Sequence, residues 1–236
     1  MNVTHYRRTP PIHVYSQVAE MTAAYVSDLC LVPVPPSNHL WPLYSFALKA
    51  ELEIYMDRMG TSSPAHTGLI VAEDTTRPGK VAGFILHMPV VGASDASGLA
   101  YIAVDAAYRR RGVARQMIEQ LLSEYPHIEL SCPVDKVAIY ERLGFKVIGV
   151  RDNQVRLNTR DYTADGRIGT IDVSPIFNSP EAMLIRHQQL QKYGRKAMED
   201  AAKAVQRLYD QGVFKAEQLA GQRAAQAETS PCLNPQ

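Results

Sequence analysis

The sequence predicts an α/β (α+β) fold, in which helices flank a mixed β-sheet and a helical extension follows the sheet. Three observations support this prediction. Strand-like runs at 68–74, 80–90 and 99–105 follow one another closely, which is typical of antiparallel strands. An amphipathic helical period then separates the third run from another at 127–134, as in a strand–helix–strand crossover. After about residue 160 the texture shifts to a long helical pattern.

Composition limits the classes of function. The 236 residues include 25 basic and 24 acidic ones, a net charge of +1, so no global field attracts nucleic acid or an anionic membrane. Cys30, Cys132 and Cys232 form no CxxC pair, which argues against a disulfide framework and a structural zinc site. The N-terminus lacks the apolar core of a secretory signal, and prolines interrupt the uncharged stretch 29–48. We expect a cytoplasmic protein without a metal.

The N-terminal part is predicted to be helical. Ile12 to Tyr15 suggests a short strand, after which Ser16 would cap a helix that runs through Leu29. A second helix is expected from about Pro42 to Met59, ending at Gly60, and a loop follows at 61–68.

The central part alternates strands and helices. The turn sequence TTRPG joins the runs 68–74 and 80–90 into a hairpin. Apolar residues then recur every four positions over a predicted helix. The remaining predicted elements are strand 99–105, helix 110–125, strand 127–134, helix 135–143 and strands at 145–150 and 154–159.

The C-terminal part divides into an irregular linker at 161–178 and a helical extension at 179–236, after a domain at 1–160. Ser179 and Pro180 suit the N-cap and first position of a helix, which Gly212 would interrupt, and the last residues, 230–236, are expected to fray. A narrow apolar stripe at 180–211 either packs on its own domain or docks a second helix, in a homodimer or with a protein partner.

One short bend concentrates positive charge. The stretch YRRRGVARQ, residues 108–116, places four arginines around Gly112 between a predicted strand and a predicted helix. The first N–H groups of a helix lack internal partners and its dipole favours negative charge, so the bend suits a phosphate group. A solvated basic patch is the alternative. Nucleic acid is disfavoured because no aromatic residues interleave with the arginines, and the chain has neither GxxxxGK[ST] nor GxGxxG.

These residues carry a family resemblance. The stretch VDAAYRRRGVARQMIEQLL contains Arg109-x-x-Gly112-x-Ala114, and IYERLGF follows at 139–145. Together they resemble the acyl-CoA motif and the second signature of the GNAT family of N-acetyltransferases. The resemblance covers about 12–158 and implies a mostly antiparallel sheet. Pro133 and Lys136 depart from the Asn and Ala that the family often has there, which leaves the rim of the site less determined.

The resemblance implies a binding site for acetyl-CoA as co-substrate. The pyrophosphate would meet the backbone N–H groups and arginine side chains of the bend, and the pantetheine arm would lie along a strand that a bulge splays from its neighbour. The implied binding residues are Ile102, Ala103, Val104, Arg109, Arg110, Arg111, Gly112, Val113, Ala114 and Arg115.

The implied reaction is direct attack of an amine on the thioester through a tetrahedral intermediate. The Val104 N–H would stabilise the oxyanion. Tyr140 would be the general acid, because a phenol can protonate a thiolate; packing in the core is the other interpretation of this residue. Cys132 is interpreted as a small buried apolar residue.

The base and the acceptor stay open. Candidates for the base are Tyr101, Asp105, Glu73 and His87, or a chain of water molecules. The acceptor is an amine on a small molecule or a protein. Aromatic residues at 39–46 would line its pocket or belong to the core. A non-catalytic GNAT-fold protein that binds partners through its C-terminal helix is the alternative function.

Overall fold

The computed structural model describes residues 1–61 and 66–229, the last three of them by backbone alone. The expected fraying at 230–236 and part of the expected loop at 61–68 lie outside the described residues. The helices are α1 (Ile12–Ala24), α2 (Val26–Leu29), α3 (Trp41–Asp57), α4 (Val113–Glu124), α5 (Val134–Glu141), α6 (Ser174–Phe177) and α7 (Pro180–Thr229), and a 3₁₀ turn covers Ala106–Tyr108. The strands are β1 (Asn2–Tyr6), β2 (Gly68–Glu73), β3 (Val81–Pro89), β4 (Ala96–Val104), β5 (His127–Cys132), β6 (Lys146–Arg151) and β7 (Gln154–Asn158).

The seven strands form one mixed sheet in the order β1-β2-β3-β4-β5-β7-β6. All neighbours are antiparallel except β4 and β5, which are parallel and connected through α4. A parallel connection needs a crossover of this kind. The predicted fold class, a mixed and mostly antiparallel sheet flanked by helices, is confirmed.

The prediction for residues 12–16 is wrong in two respects, and a strand before them was not predicted. Residues Asn2–Tyr6 form an edge strand that pairs with β2, and Ile12 to Tyr15 belong to α1 rather than to a strand. Pro11 occupies the N-cap position, so Ser16 lies inside the helix. The β-branched and aromatic residues of IHVY favour a strand locally, but Val14 and Val18 are fully buried one helical turn apart.

Each face of the sheet has its own core. Because side chains alternate along a strand, Ile70 faces the core beneath α4, whereas Leu69 faces α1 and α3. Met117 of α4 and Leu52 of α3 are fully buried in these two cores. The helices on both faces therefore hold the sheet and its strand ends in place.

The C-terminal helix begins as predicted but breaks elsewhere. The Ser179 hydroxyl accepts a hydrogen bond from the Ala182 N–H at 3.2 Å. Gly194 interrupts the helical backbone with φ 80° and ψ 162°, where a residue with a side chain would be strained. Gly212, the predicted break, is helical and lies against Asn153, whose Cβ is 2.9 Å from where a Cβ at Gly212 would be. That glycine therefore permits close packing of α7 on the β6–β7 turn.

The apolar stripe of α7 divides between the protein and solvent. Ala201 and Val205 are buried, and the Asn38 side chain donates a hydrogen bond to the Ala201 carbonyl at 3.0 Å. Met183 and Leu190 are exposed. The middle of the stripe thus packs on its own chain. In the described residues, no helix has the length and apolarity that crossing a membrane requires.

Candidate functional site

A cleft of about 1500 Å³ opens where β4 and β5 separate. The two strands pair only at Ala96–Gly98 and His127–Glu129, although both continue for several residues beyond. A bulge at Ala100, between the pairs Leu86–Tyr101 and His87–Leu99, bends β4 just after the paired stretch. The predicted combination of bulge and splayed strand is therefore present, and it forms one wall of the cleft.

The main chain of β4 alternates between its two neighbours. The Asp105 N–H donates to the Ala82 carbonyl of β3. In this antiparallel register, the residues that bond to β3 alternate with residues that do not, so Ile102 and Val104 turn their N–H and C=O groups towards the gap. Ala103 instead bonds to β3 opposite Phe84. Its main chain therefore does not face the cleft, contrary to the expectation that it would bind the co-substrate.

The arginine bend supplies a run of free backbone donors. Gly112 is the N-cap of α4 with φ 77°, in the left-handed region that glycine favours. The first bond of the helix is from the Gln116 N–H to the Gly112 carbonyl. Among the described residues, the N–H groups of 110–115 have no acceptor. Six adjacent amides at a helix N-terminus form a suitable cradle for a pyrophosphate.

The arginine side chains of the bend play different parts. Arg110 and Arg115 line the cleft, whereas Arg111 turns over the Tyr108 ring, 5.6 Å from its centroid, and does not line it. The Arg109 Nε donates to the Val104 carbonyl at 3.1 Å, and its guanidinium lies 4.7 Å from the centre of the Tyr25 ring. Arg109 therefore fixes the end of β4, while Arg110 and Arg115 face the expected ligand.

Lys136 takes part in an ion-pair bridge across the mouth of the cleft. Its Nζ lies 3.2 Å from one Asp28 carboxylate oxygen, and the Arg109 guanidinium lies 3.5 Å from the other. Asp28 thus links α2 with the end of β4 and with α5. Lys136, which stands where the family often has Ala, thus introduces a positive charge that Asp28 pairs with.

Tyr140 lies in the wall of the cleft on α5. Its residue is 9% exposed, its ring contacts Phe145 edge-on at 5.7 Å, and burial raises the pKa of its hydroxyl above the usual value. The hydroxyl makes no hydrogen bond within the part of the chain that the structure describes. A neutral phenol beside the cleft can donate a proton.

The four candidates for the base separate in space. Tyr101 lines the cleft, whereas Glu73, Asp105 and His87 do not. The Asp105 carboxylate caps the 3₁₀ turn by accepting from the Ala107 N–H. Glu73 lies 3.6 Å from His13, on a neighbouring helix.

His87 belongs to a chain of polar contacts that we call the histidine chain, formed by Glu124, His5, His87 and Ser97. The Glu124 carboxylate lies 2.8 Å from His5 Nδ1, the two Nε2 atoms of the histidines are 2.9 Å apart, and His87 Nδ1 lies 2.9 Å from the Ser97 hydroxyl. Burial, and next the proximity of His5, lower the pKa of His87 to about 3. His87 is therefore neutral and structural.

Glu51 of α3 is a site residue that sequence reasoning missed. It lines the cleft, and its carboxylate accepts a hydrogen bond of 2.9 Å from the Tyr101 hydroxyl. Burial raises the pKa of Glu51 above its usual value, although the hydrogen bond from Tyr101 opposes this. A sequence signal existed, because Glu51 falls at helical spacing between apolar residues at 47–48 and Tyr55.

The cysteines of the cleft are not activated as nucleophiles. Burial is the main cause that raises the pKa of Cys132 to about 12 and that of Cys30 to about 11. Both thiols are thus protonated at neutral pH. Among residues 1–61 and 66–229, no cluster of three metal-ligating side chains occurs.

A family comparison matches a segment that supplies part of this cleft. Residues 65–147 match the family described as an acetyltransferase (GNAT) domain. This segment is therefore similar to GNAT acetyltransferase domains. The match includes β4, the arginine bend, β5 and α5, each of which contributes residues to the cleft lining. No curated protein matches the sequence significantly.

Several solved structures match the chain at low sequence identity. An aminoglycoside 6'-N-acetyltransferase complexed with coenzyme A is 16% identical over 67% of this chain and 94% of its own, with a TM-score of 0.44. PaiA N-acetyltransferase from Thermoplasma acidophilum, in complex with coenzyme A, is 12% identical over 68% of this chain and 99% of its own, with a TM-score of 0.49. An N-acetyltransferase from Staphylococcus aureus Mu50 is 18% identical over 67% of this chain and 98% of its own, with a TM-score of 0.45.

Proposed function

We propose that the protein is an N-acetyltransferase that transfers an acetyl group from acetyl-CoA to an amine. The observation that carries this proposal is the run of unpaired N–H groups at 110–115, at the mouth of the cleft between β4 and β5. A pyrophosphate accepts several such donors at once. The main-chain groups that Ile102 and Val104 turn towards the gap suit the amide-rich pantetheine arm, apart from the Val104 carbonyl, which accepts from Arg109. The residues present therefore fit the co-substrate.

When bound, acetyl-CoA supplies a thioester as the acyl donor. The Val104 N–H faces the gap and donates to the thioester oxygen as negative charge develops on it. The nitrogen lone pair of the amine forms the new C–N bond, and the C–S bond breaks. Tyr140 gives the leaving sulfur a proton. An ammonium acceptor loses one proton before the attack and a second proton after it. Of these two protons, one replaces the proton that Tyr140 gives to sulfur, and the other passes to solvent.

Calorimetric titration of acetyl-CoA into wild type and Gly112→Glu tests the cradle. The new carboxylate would repel the pyrophosphate, and we expect Kd to rise at least about 100-fold. Gly79→Glu is a matched control, because Gly79 has the same φ of 77° in a turn outside the cleft. Both variants carry the backbone strain of a side chain in the left-handed region, about 1–2 kcal/mol.

Equal loss of affinity in the two variants would show that strain, rather than charge in the cradle, weakens binding. Wild-type protein that binds no acetyl-CoA would overturn the proposal. Binding without release of thiol in the presence of any amine would instead favour a binding or assembly role.

A further inference from the structure

The cleft has a second end, which differs in chemistry from the arginine bend. We call it the acceptor end and define it by the side chains Cys30, Tyr44, Glu51, Tyr55 and Tyr101 together with Ile171 and Phe177, all of which line the cleft. Four of these seven side chains are aromatic, and one is a carboxylic acid. Tyr55 is only 2% exposed, so Tyr44, Tyr101 and Phe177 present the aromatic surface around a single acidic group.

Glu51 is the cleft carboxylate that lacks a cationic or main-chain partner. Asp28 is paired with Arg109 and Lys136, and Glu129 accepts a hydrogen bond from the Ala164 N–H. Glu51 accepts only from the Tyr101 hydroxyl among the described residues, at one of its two oxygens. Removing a carboxylate from water without a cation is costly, so this arrangement favours a ligand that brings the cation.

The aromatic side chains indicate the chemistry of the ligand beyond its cation. Tyrosine faces attract an ammonium group and also bury apolar surface beside it. No basic side chain among the described residues pairs with Glu51, so Glu51 would repel a ligand carboxylate placed beside the ammonium group. A second ammonium would likewise find no second free carboxylate at this end.

A covering segment restricts the size of the ligand. The Ile171 N–H donates to the Tyr55 hydroxyl at 3.1 Å, which ties the chain after β7 to α3. The Phe177 ring then contacts Tyr44 edge-on at 5.6 Å. These contacts hold the segment 171–177 against α3 at this end of the cleft, so a small molecule fits better than the surface of a folded protein.

We propose that the acceptor is a small primary amine with one positive charge and an apolar, preferably aromatic, body, and that Glu51 binds its ammonium group. This inference rests on the proposed function, whose acceptor it specifies. Glu51 and Tyr101 would place the nitrogen beside β4, on which Tyr101 lies. The raised pKa of Glu51 is consistent with a carboxyl that can also take a proton from the ammonium.

Four amines test the class in a thiol-release assay: 2-phenylethylamine, phenylalanine, spermidine and a blocked lysine peptide. Phenylalanine adds a carboxylate to the first compound, spermidine adds further cations, and the peptide presents its amine on a larger body. We expect kcat/KM for 2-phenylethylamine to exceed each of the others at least about tenfold. Preference for spermidine, phenylalanine or the peptide would overturn the inference and leave the acetyl transfer itself intact.

Glu51→Gln tests the residue and keeps an acceptor for the Tyr101 hydroxyl. We expect KM for 2-phenylethylamine, and its Kd in a titration with CoA present, to rise at least about tenfold while Kd for acetyl-CoA is unchanged. Glu53→Gln, two residues along α3 and outside the cleft, is the matched control and should alter neither. Unchanged affinity for the amine in Glu51→Gln would overturn the inference.

The titration separates this inference from the proposed function. If wild type binds no acetyl-CoA, acetyl transfer fails, but amine binding that Glu51→Gln abolishes would still support the acceptor end as a site for such amines. If wild type binds acetyl-CoA but not 2-phenylethylamine, the inference fails and the proposed function stands.

Discussion

Two polar clusters of the molecule contain a glutamate, yet they are built differently. In the histidine chain, Glu124 contacts His5 and Arg7, and the chain continues to His87 and Ser97 with a partner at every step. At the acceptor end, Glu51 has one hydrogen bond, from Tyr101, and otherwise faces an open cleft. The first cluster is complete without a ligand and the second is not.

This difference separates structural from functional polar groups. A buried group whose partners all come from the chain stabilises the fold and leaves nothing for a ligand to satisfy. A half-satisfied group beside a cavity costs stability until a ligand pairs with it. By this criterion changes in the histidine chain should affect stability, and changes in the cleft should affect binding or rate.

The largest expected effect on stability comes from His87→Leu. This change leaves His5 Nε2 and the Ser97 hydroxyl without their partners, and each unsatisfied buried group costs about 1–3 kcal/mol. We expect the free energy of unfolding, measured by denaturant titration, to fall by about 2–4 kcal/mol. The kcat/KM of the folded variant should match wild type. A large loss of kcat/KM at full stability would contradict the structural role of His87.

Tyr140→Phe should have the opposite profile. The hydroxyl makes no hydrogen bond in the described part of the chain and the ring packing on Phe145 is retained, so Tm should not fall. We expect kcat to decrease about tenfold, a barrier increase of about 1.4 kcal/mol, because thiolate is already a tolerable leaving group. Acetyl-CoA affinity should change less than twofold by titration. Tyr162→Phe, at an exposed residue outside the cleft, should leave kcat as it is; an unchanged kcat in Tyr140→Phe would exclude its acid role.

Acid should produce the smallest effect, again through the histidine chain. The pKa of His87 is about 3 in the fold and about 6.5 when unfolded, so the unfolded state binds more protons between these values. The stabilising contribution is therefore full above pH 6.5 and declines as pH falls towards 3. From pH 7.5 to 5.5 the loss is about 1.4 kcal/mol, or roughly 3–6 °C in Tm.

A matched comparison tests this assignment. In His87→Leu, the Tm measured by thermal scans at pH 7.5 and 5.5 should differ less than in wild type, because the group that titrates on unfolding is gone. An equal difference in the two proteins would assign the acid sensitivity to other residues.

The arginine bend could be predicted because its parts are neighbours in the chain. Gly112, the arginines and the start of α4 fall within a few residues, so the local sequence fixes the run of free N–H groups. The strand β1 was missed because five residues at the chain start form a strand only through pairing with β2. Gly212 was misread as a break because its role depends on Asn153, which is distant in sequence.

The proton-transfer residues could not be ranked from sequence, because their roles depend on tertiary placement. His87 has the chemistry of a base, but the register of β3 puts it next to His5. Glu51 lies among other acidic residues of α3, and only the packing of that helix against β4 brings it to Tyr101. In both cases the deciding partner comes from another element.

The short pairing of β4 with β5 also has a mechanical meaning. The sheet consists of two groups of strands, β1–β4 and β5, β7 and β6. Only three residue pairs, at Ala96–Gly98, join the two groups, and we call this short ladder the seam. Under a pulling force this seam would separate before either group lost a strand, because the other ladders contain four or more residue pairs. The width of the cleft is thus set by the shortest ladder of the sheet, the one between β4 and β5.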